Sequence, residues 1–470
     1  MTLLALPLGL VLPTLSGWLM LSLLEWKTPV LFTIERWVLG FVVGLTGTMY
    51  VTFLAHALLH LPLSFVGFLS MQIIFTGVLG GLFVTFRPTG EQPKPVPAGK
   101  LQRWQIIAIA VLGLWTLLKI ASGTMILTMT PTFFDDSIDN WNLRGKIIFV
   151  TKTYPLVLPF GIPGQPDGVS SYPPTVPMSQ AWLASVAGEW NEGLINAIHL
   201  VYYLATLGLL FFSLRRYLSG IWSLLGTYML SSLPLYLLHG TSTYADGFMS
   251  MHVFAAVSLL LHAGRSRNRS EIVSCMRLAA LAGALLAFTK NEGFGLYLPP
   301  LLVLTGMTIW WKWKKSNMLT RQDSLRLLSV FAVLLLAIAG PWTAYKLYNG
   351  LVFGNAHPIG AFALTIRPMA LISIAITTFF EGNWLLLFPL VILVLALSVR
   401  HVCTSALIIP VVFMCVTYVT QLGAFLFFAS LSTELIKQTG YARGVIHLLP
   451  VMVFLVTMLL QNMLDPQENG

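Results

Sequence analysis

Apolar stretches close to helix-spanning length recur along the chain, near 3–23, 37–60, 63–86, 104–122, 194–213, 220–238, 247–264, 273–289, 294–311, 325–346, 384–400, 403–421 and 444–461. A helix of about 20 residues crosses the roughly 30 Å of hydrocarbon in a bilayer. Helices are the expected spanning form, because lipid offers no partner to unpaired backbone groups and the alternating strand pattern of a barrel is absent. The pattern predicts an all-α polytopic membrane protein of about 13 transmembrane helices. A shorter apolar run, 369–381, either lies in the interface or joins a neighbouring span.

The loops between these spans sort by charge. Alternate loops hold Lys27 and Arg36; Arg87, Lys94, Lys100 and Arg103; Arg215 and Arg216; Arg265, Arg267 and Arg269; Lys312, Lys314, Lys315, Arg321 and Arg326; and Arg400. The other loops hold most of the acids: Asp135, Asp136, Asp139, Asp167, Glu189, Glu192, Asp246, Glu292, Glu381 and Glu434. Basic loops stay in the cytoplasm, so the N-terminus is predicted outside and the tail 462–470 inside. The first apolar run lacks a basic n-region and a small-residue cleavage site, which predicts a retained span rather than a signal peptide.

Composition agrees with the pattern: 56% of the 470 residues are hydrophobic and 9% charged, against roughly a quarter charged in soluble domains. The net charge of +10 lies in short clusters between spans, which argues against nucleic-acid binding. Cys275, Cys403 and Cys415 all fall in apolar segments, so no disulfide framework or zinc site is expected. Four prolines make 87–103 a stiff cytoplasmic linker. It divides a three-span extension, 1–86, from a module at 104–461 with a long external loop, 123–193.

The polar groups that carry chemistry gather on the external side. The segment Phe133–Lys146 follows the fourth span. As a helix it places Ile138, Trp141, Gly145 and Ile148 on one apolar stripe, with Asp139, Asn142 and Lys146 opposite, which suits a helix lying on the outer membrane surface. Asp135 and Asp136 sit at its start, where a plain helix cap competes with a functional reading. Three carboxylates within five residues repel one another; a base, a metal or a cationic substrate justifies that cost. A divalent cation is therefore one open possibility, with no ligand set assigned.

Further along come Tyr172-Pro173-Pro174-Thr175, then Tyr244-Ala245-Asp246-Gly247 at a span start, then Thr289-Lys290-Asn291-Glu292-Gly293 between two spans. Lys290 and Glu292 either neutralise each other or serve a ligand. Arg443, before the last span, either snorkels to the interface or binds a phosphate with its guanidinium fork. His56 and His60 lack a third ligand and read as packing residues.

Asp136 five residues before Trp141, followed by Arg144-x-Lys146, resembles the first-loop motif of bacterial GT-C membrane glycosyltransferases. The Tyr172, Asp246 and Lys290–Glu292 motifs and the late Arg443 resemble theirs in order and sidedness. The likeness covers roughly 104–460 and is to the broad set that includes protein O-mannosyltransferases and the lipid A aminoarabinose transferase. That family places its first catalytic loop after the first span; here it follows the fourth.

The resemblance implies a GT-C-like bundle in the inner (plasma) membrane, with its site facing outside. It implies a polyprenyl-phosphate sugar as donor and a glycan, lipid or protein as acceptor, with inversion at the sugar. Asp136 aligns with the acceptor-activating carboxylate, with Asp135 and Asp246 as further catalytic candidates. Asp139, Trp141, Arg144, Lys146, Tyr172, Lys290, Glu292 and Arg443 are the implied substrate-binding set. Two competing readings are an O-antigen ligase or polymerase, and a lipid or solute transporter. A transporter is expected to place its charges near the bilayer midplane, where this chain has only Lys119 and a few histidines.

Overall fold

The computed structural model describes residues 2–86, 90, 92–93, 102–133, 136–158, 168–353, 367–437 and 440–464. Asp135, Asp167, most of the linker 87–103 and most of the tail lie outside the described residues. Helices make up almost all of the rest. They are α1 Thr2–Leu24, α2 Thr33–Leu59, α3 Phe65–Phe86, α4 Arg103–Met129, α5 Leu143–Thr151, α6 Thr175–Ala187 and α7 Glu192–Arg215. Next come α8 Gly220–Ser232, α9 Pro234–Gly240, α10 Asp246–Arg265, α11 Arg269–Leu286, α12 Leu298–Lys314 and α13 Arg321–Tyr348. The last are α14 Pro368–Phe379, α15 Leu387–Leu397, α16 Val399–Thr404, α17 Ile408–Phe427, α18 Ala429–Ile436, α19 Gly440–Ile446 and α20 Leu449–Leu464.

Every predicted span is helical, yet the count differs from about 13. Among the described residues, 9 helices are long and apolar enough to cross a bilayer, or up to 11 if two bent pairs each count as one span. The bent pairs are α8 with α9, at 79°, and α19 with α20, at 49°. Pro234 has no N–H to continue the ladder from α8 and restarts the helix as its first residue. Two expected spans fall short. The segment 273–289 corresponds to α11, whose 18 residues include Arg269, Glu271 and Arg277. The segment 384–400 is split between α15 and the short α16.

The first three spans pack as part of the bundle. Helix α2 is buried along most of its length. Gly44 lies against the Pro13 backbone of α1, where a Cβ would sit 1.9 Å from the carbonyl oxygen, so only glycine permits this approach. Thr46 on the same helix meets His252 Nε2 of α10 at 3.0 Å. His56 pairs with the Leu61 carbonyl at 2.8 Å and accepts from the Tyr154 N–H at 3.3 Å, which is a packing role. At the other end, a buried ion-pair chain joins Arg36 to Glu25 at 2.8 Å and Arg216 to Glu35.

The first-loop helix departs from its expected register. Ser137–Asn142 form a π turn before α5 begins. A π turn holds more residues per turn than an α-helix, so it rotates the preceding side chains. Ile138 is therefore turned outward at 48% exposure, while Trp141 and Ile148 are buried. Asn142, expected on the polar face, is buried too.

Candidate active site

Asp246 opens α10, where the partial positive charge of a helix N-terminus favours a carboxylate. Its side chain is fully buried, at 0% exposure, and four residues from three other segments converge on it. Lys290 Nζ donates to Oδ1 at 2.8 Å and His447 Nε2 approaches the same oxygen at 2.9 Å. Arg443 Nε donates to Oδ2 at 3.3 Å, and His239 Nδ1 lies 3.2 Å from it. Tyr297, itself fully buried, adds a further partner, with its hydroxyl 2.9 Å from His447 Nδ1. The network is satisfied when His447 carries its proton on Nε2 and accepts from Tyr297. A buried carboxylate needs such partners, because an unpaired one is very costly.

Two arms extend from this centre. Lys290 also reaches Glu292 Oε1 at 3.1 Å. Burial disfavours the Lys290 charge, but Asp246 and Glu292 outweigh it and hold the ammonium above its ordinary value. Burial likewise opposes the Glu292 charge, and Lys290 overcomes it, so that carboxyl titrates below its ordinary range. Arg443 forms the other arm: its Nη1 donates to Asp136 Oδ2. Its guanidinium also stacks over Tyr244, 4.7 Å from the ring centre, and Tyr244 stacks on His239 at 4.6 Å. Asp136, Asp246, Lys290, Glu292 and Arg443 thus form one connected charged cluster, drawn from the first loop, two span starts and a late helix.

Behind Asp136, uncharged contacts hold its turn. Asn142 Nδ2 donates to Asn196 Oδ1 at 3.1 Å, and its Oδ1 accepts from Gln180 Nε2 at 2.7 Å. Arg144 is fully buried, with 0% exposure. It donates to the Tyr154 hydroxyl at 2.5 Å, the Tyr172 carbonyl at 2.7 Å and Asn140 Oδ1 at 3.3 Å. Trp141 meets the Tyr172 ring edge-on at 5.5 Å. Arg144 and Trp141 therefore sit inside the wall of the site. Tyr172 is half-buried between that wall and the cluster; burial first, then Glu292, pushes its phenol well above its ordinary value. Asp139 and Lys146 are exposed, away from the cluster contacts. Asp135 is outside the described residues.

Sequence reasoning did not place His239, His447 or Tyr297 in the site. His447 stands four residues after Arg443, just past the end of α19, and that spacing of about one helical turn was a usable signal. His239 sits before a helix break and carried none. No group of three or more His, Cys, Asp or Glu among the described residues is arranged to hold a metal ion. Lys119, the one lysine expected near the midplane, donates to Ser232 Oγ at 2.7 Å and lies over Tyr228 at 4.9 Å, outside this cluster.

Neither a protein-family profile nor a curated protein sequence matches the chain. Solved structures do. ArnT from Cupriavidus metallidurans bound to undecaprenyl phosphate superposes with a TM-score of 0.52 at 13% identity, over 77% of this chain and 62% of that one. The apo state of the same protein gives 0.49 at 13% identity, over 76% and 60%. The chain has an ArnT-like, GT-C-type fold. That is the fold class expected from the motifs, and it makes the chain a multi-pass helical membrane protein. The chain spans under two thirds of ArnT's length.

Proposed function

We propose that the protein is a membrane glycosyltransferase. It moves a sugar from a polyprenyl-phosphate donor to a hydroxyl of a glycan, lipid or protein acceptor at the outer face of the inner membrane. The observation that carries this reading is Arg443, which joins Asp136 to the buried Asp246–Lys290 pair. The ArnT-like fold and the outward sidedness of the acids support it.

In this reading Asp136, half-exposed at the edge of the cluster, takes the proton of the acceptor hydroxyl as that oxygen attacks the anomeric carbon. The C–O bond to phosphate breaks with inversion. The phosphate leaves as an anion, so no second acid is needed. Arg443 and Lys290 offset the charge that builds on it. Asp246 has its oxygens occupied by four partners and acts by holding both cations in place. Glu292 serves the same end through Lys290. Tyr172 offers its ring and hydroxyl beside the same space. Asp139 and Lys146 remain candidates for the acceptor side.

The test is turnover by purified protein in nanodiscs with a polyprenyl-phosphate sugar and envelope acceptors, read by mass spectrometry. Transfer that depends on Asp136 supports the reading. Movement of intact lipid across the bilayer without glycosyl transfer makes the protein a transporter instead.

A further inference from the structure

Lys346 stands in the last turn of α13, at the same end of the bundle as the loop that carries Lys290. Its side chain is buried, at 3% exposure. An ammonium has three protons to donate. The contacts of this one are Asn291 Oδ1 at 3.1 Å and two aromatic faces, Trp342 at 5.7 Å and Phe353 at 5.0 Å from the ring centres. Among the described residues no carboxylate lies within ion-pair distance of it, whereas Lys290 and Arg443 each have two. Burying an ammonium without an anion costs several kcal/mol, only partly offset by ring faces and the helix C-terminus. Asn291, its acceptor, is flanked directly by Lys290 and Glu292, so this underused cation borders the charged cluster.

We propose that Lys346 and Asn291 form a subsite for a phosphate-ester oxygen, with Lys346 supplying the charge that the protein leaves unmatched. The inference rests on the glycosyltransferase reading only for its preferred source, the phosphate of the lipid-linked donor. The headgroup of an anionic phospholipid carries the same chemistry and is the other source. A fixed ammonium held by Asn291, the residue next to Lys290, adds a further positive group at the border of the cluster. No bond is made or broken at Lys346.

The experiment compares wild type, Lys346→Met and Lys346→Arg in nanodiscs. Binding of undecaprenyl phosphate, phosphatidylglycerol and the uncharged polyprenol is measured, together with the thermal unfolding midpoint. Losing one charge-assisted hydrogen bond weakens binding by about 10- to 100-fold. The expected result is that loss for undecaprenyl phosphate in Lys346→Met, partial retention in Lys346→Arg, unchanged polyprenol binding, and a midpoint equal to or above wild type. The rise in stability is expected because an apolar replacement removes a buried, unpaired charge. A loss confined to phosphatidylglycerol supports the subsite with the phospholipid as its source. Wild-type affinity of Lys346→Met for both anionic lipids, or a fall in its midpoint with no loss of affinity, overturns the inference and makes Lys346 a packing residue. A wild-type protein that binds no polyprenyl phosphate but still loses phosphatidylglycerol on substitution sinks the donor reading alone.

Discussion

Asp136 and Arg443 stand 307 positions apart in sequence and form one ion pair. The same guanidinium reaches the buried Asp246, so it is shared between a locked acid and a half-exposed one. On the proposed reading, a phosphate arriving at Arg443 competes with Asp136 and leaves Asp246 in place. Donor binding then frees the carboxylate that must act as base, and the base is held out of use while the donor is absent.

This coupling gives Asp136→Asn two effects of opposite sign. Asn keeps the shape but cannot take a proton, so turnover falls by about 10²–10⁴-fold. Asn is also neutral, so Arg443 loses a competitor and the affinity for polyprenyl phosphate holds or rises. Turnover and equilibrium binding on the same preparation check both. Near-normal turnover removes Asp136 as the base, and Asp139 is tested next. Asp135→Asn, at the neighbouring position, is the control and is expected to be milder.

Asp246 behaves differently because it is buried among cations. Asp246→Ala leaves Lys290 and Arg443 without their common partner, and breaking a buried pair in this way costs about 3–5 kcal/mol. The unfolding midpoint and the yield of folded protein fall together with activity. An Asp246→Ala protein as stable as wild type argues that the two cations find other partners.

Lys290 and Glu292 set a pH window. The Glu292 carboxyl lies below its ordinary value of 4.5 in the folded protein. Its contribution is therefore present above that value and lost as pH falls through the lowered one. The Lys290 ammonium lies above its ordinary value of 10.5. Its contribution is full below that value and lost as pH rises through the raised one. Between these limits the pair adds a constant increment to stability. Unfolding midpoints from acid to alkaline pH are expected to show a plateau, and Glu292→Gln to flatten the acid limb. An acid limb unchanged in Glu292→Gln assigns it to other carboxyls.

Topology is tested separately, in a cysteine-free background. Glu189→Cys is exposed in the long loop, and Lys315→Cys is exposed in the basic loop after α12. In intact cells a membrane-impermeant reagent is expected to label position 189 and spare 315, because basic loops stay inside. The reverse pattern inverts the protein and places the charged cluster in the cytoplasm.

Spans were legible because length and apolarity are local properties. Their breaks were not: the bend at Pro234 and the charged start of α11 depend on how each segment packs. Sidedness, together with the resemblance of the motifs to those of membrane glycosyltransferases, grouped Asp136, Asp246, Lys290, Glu292 and Arg443, since charges at one membrane face share a thin layer. It gave no distances, so it missed His239 and His447, which look like ordinary span residues until they face Asp246. The face of Ile138 was misassigned because no local signal marks a π turn. Lys346 reads in sequence as one more lysine at a span end, and only its burial sets it apart.

Arg144 tests how tightly the Asp136 turn must be held. Its guanidinium spans Asn140, Tyr154 and Tyr172, and so ties the turn to the segment that lines the cluster. Met fills similar space but makes none of these bonds, and leaves the Tyr172 carbonyl without this donor. Lys keeps the charge, yet its single ammonium cannot reproduce a planar fork. A lost hydrogen bond to a charged group costs about 1.5–3 kcal/mol, partly repaid by removing a buried charge that has no carboxylate partner among the described residues. Stability therefore drops modestly in Arg144→Met. Turnover drops more, by about 10²-fold, because a misplacement of about 1 Å at a reacting group costs that much. Since Arg144 does not reach the open face of the cluster, the loss falls on kcat, while the affinity for polyprenyl phosphate stays near wild type. A wild-type kcat in Arg144→Met shows that Asn142, Gln180 and Asn196 hold the turn without it.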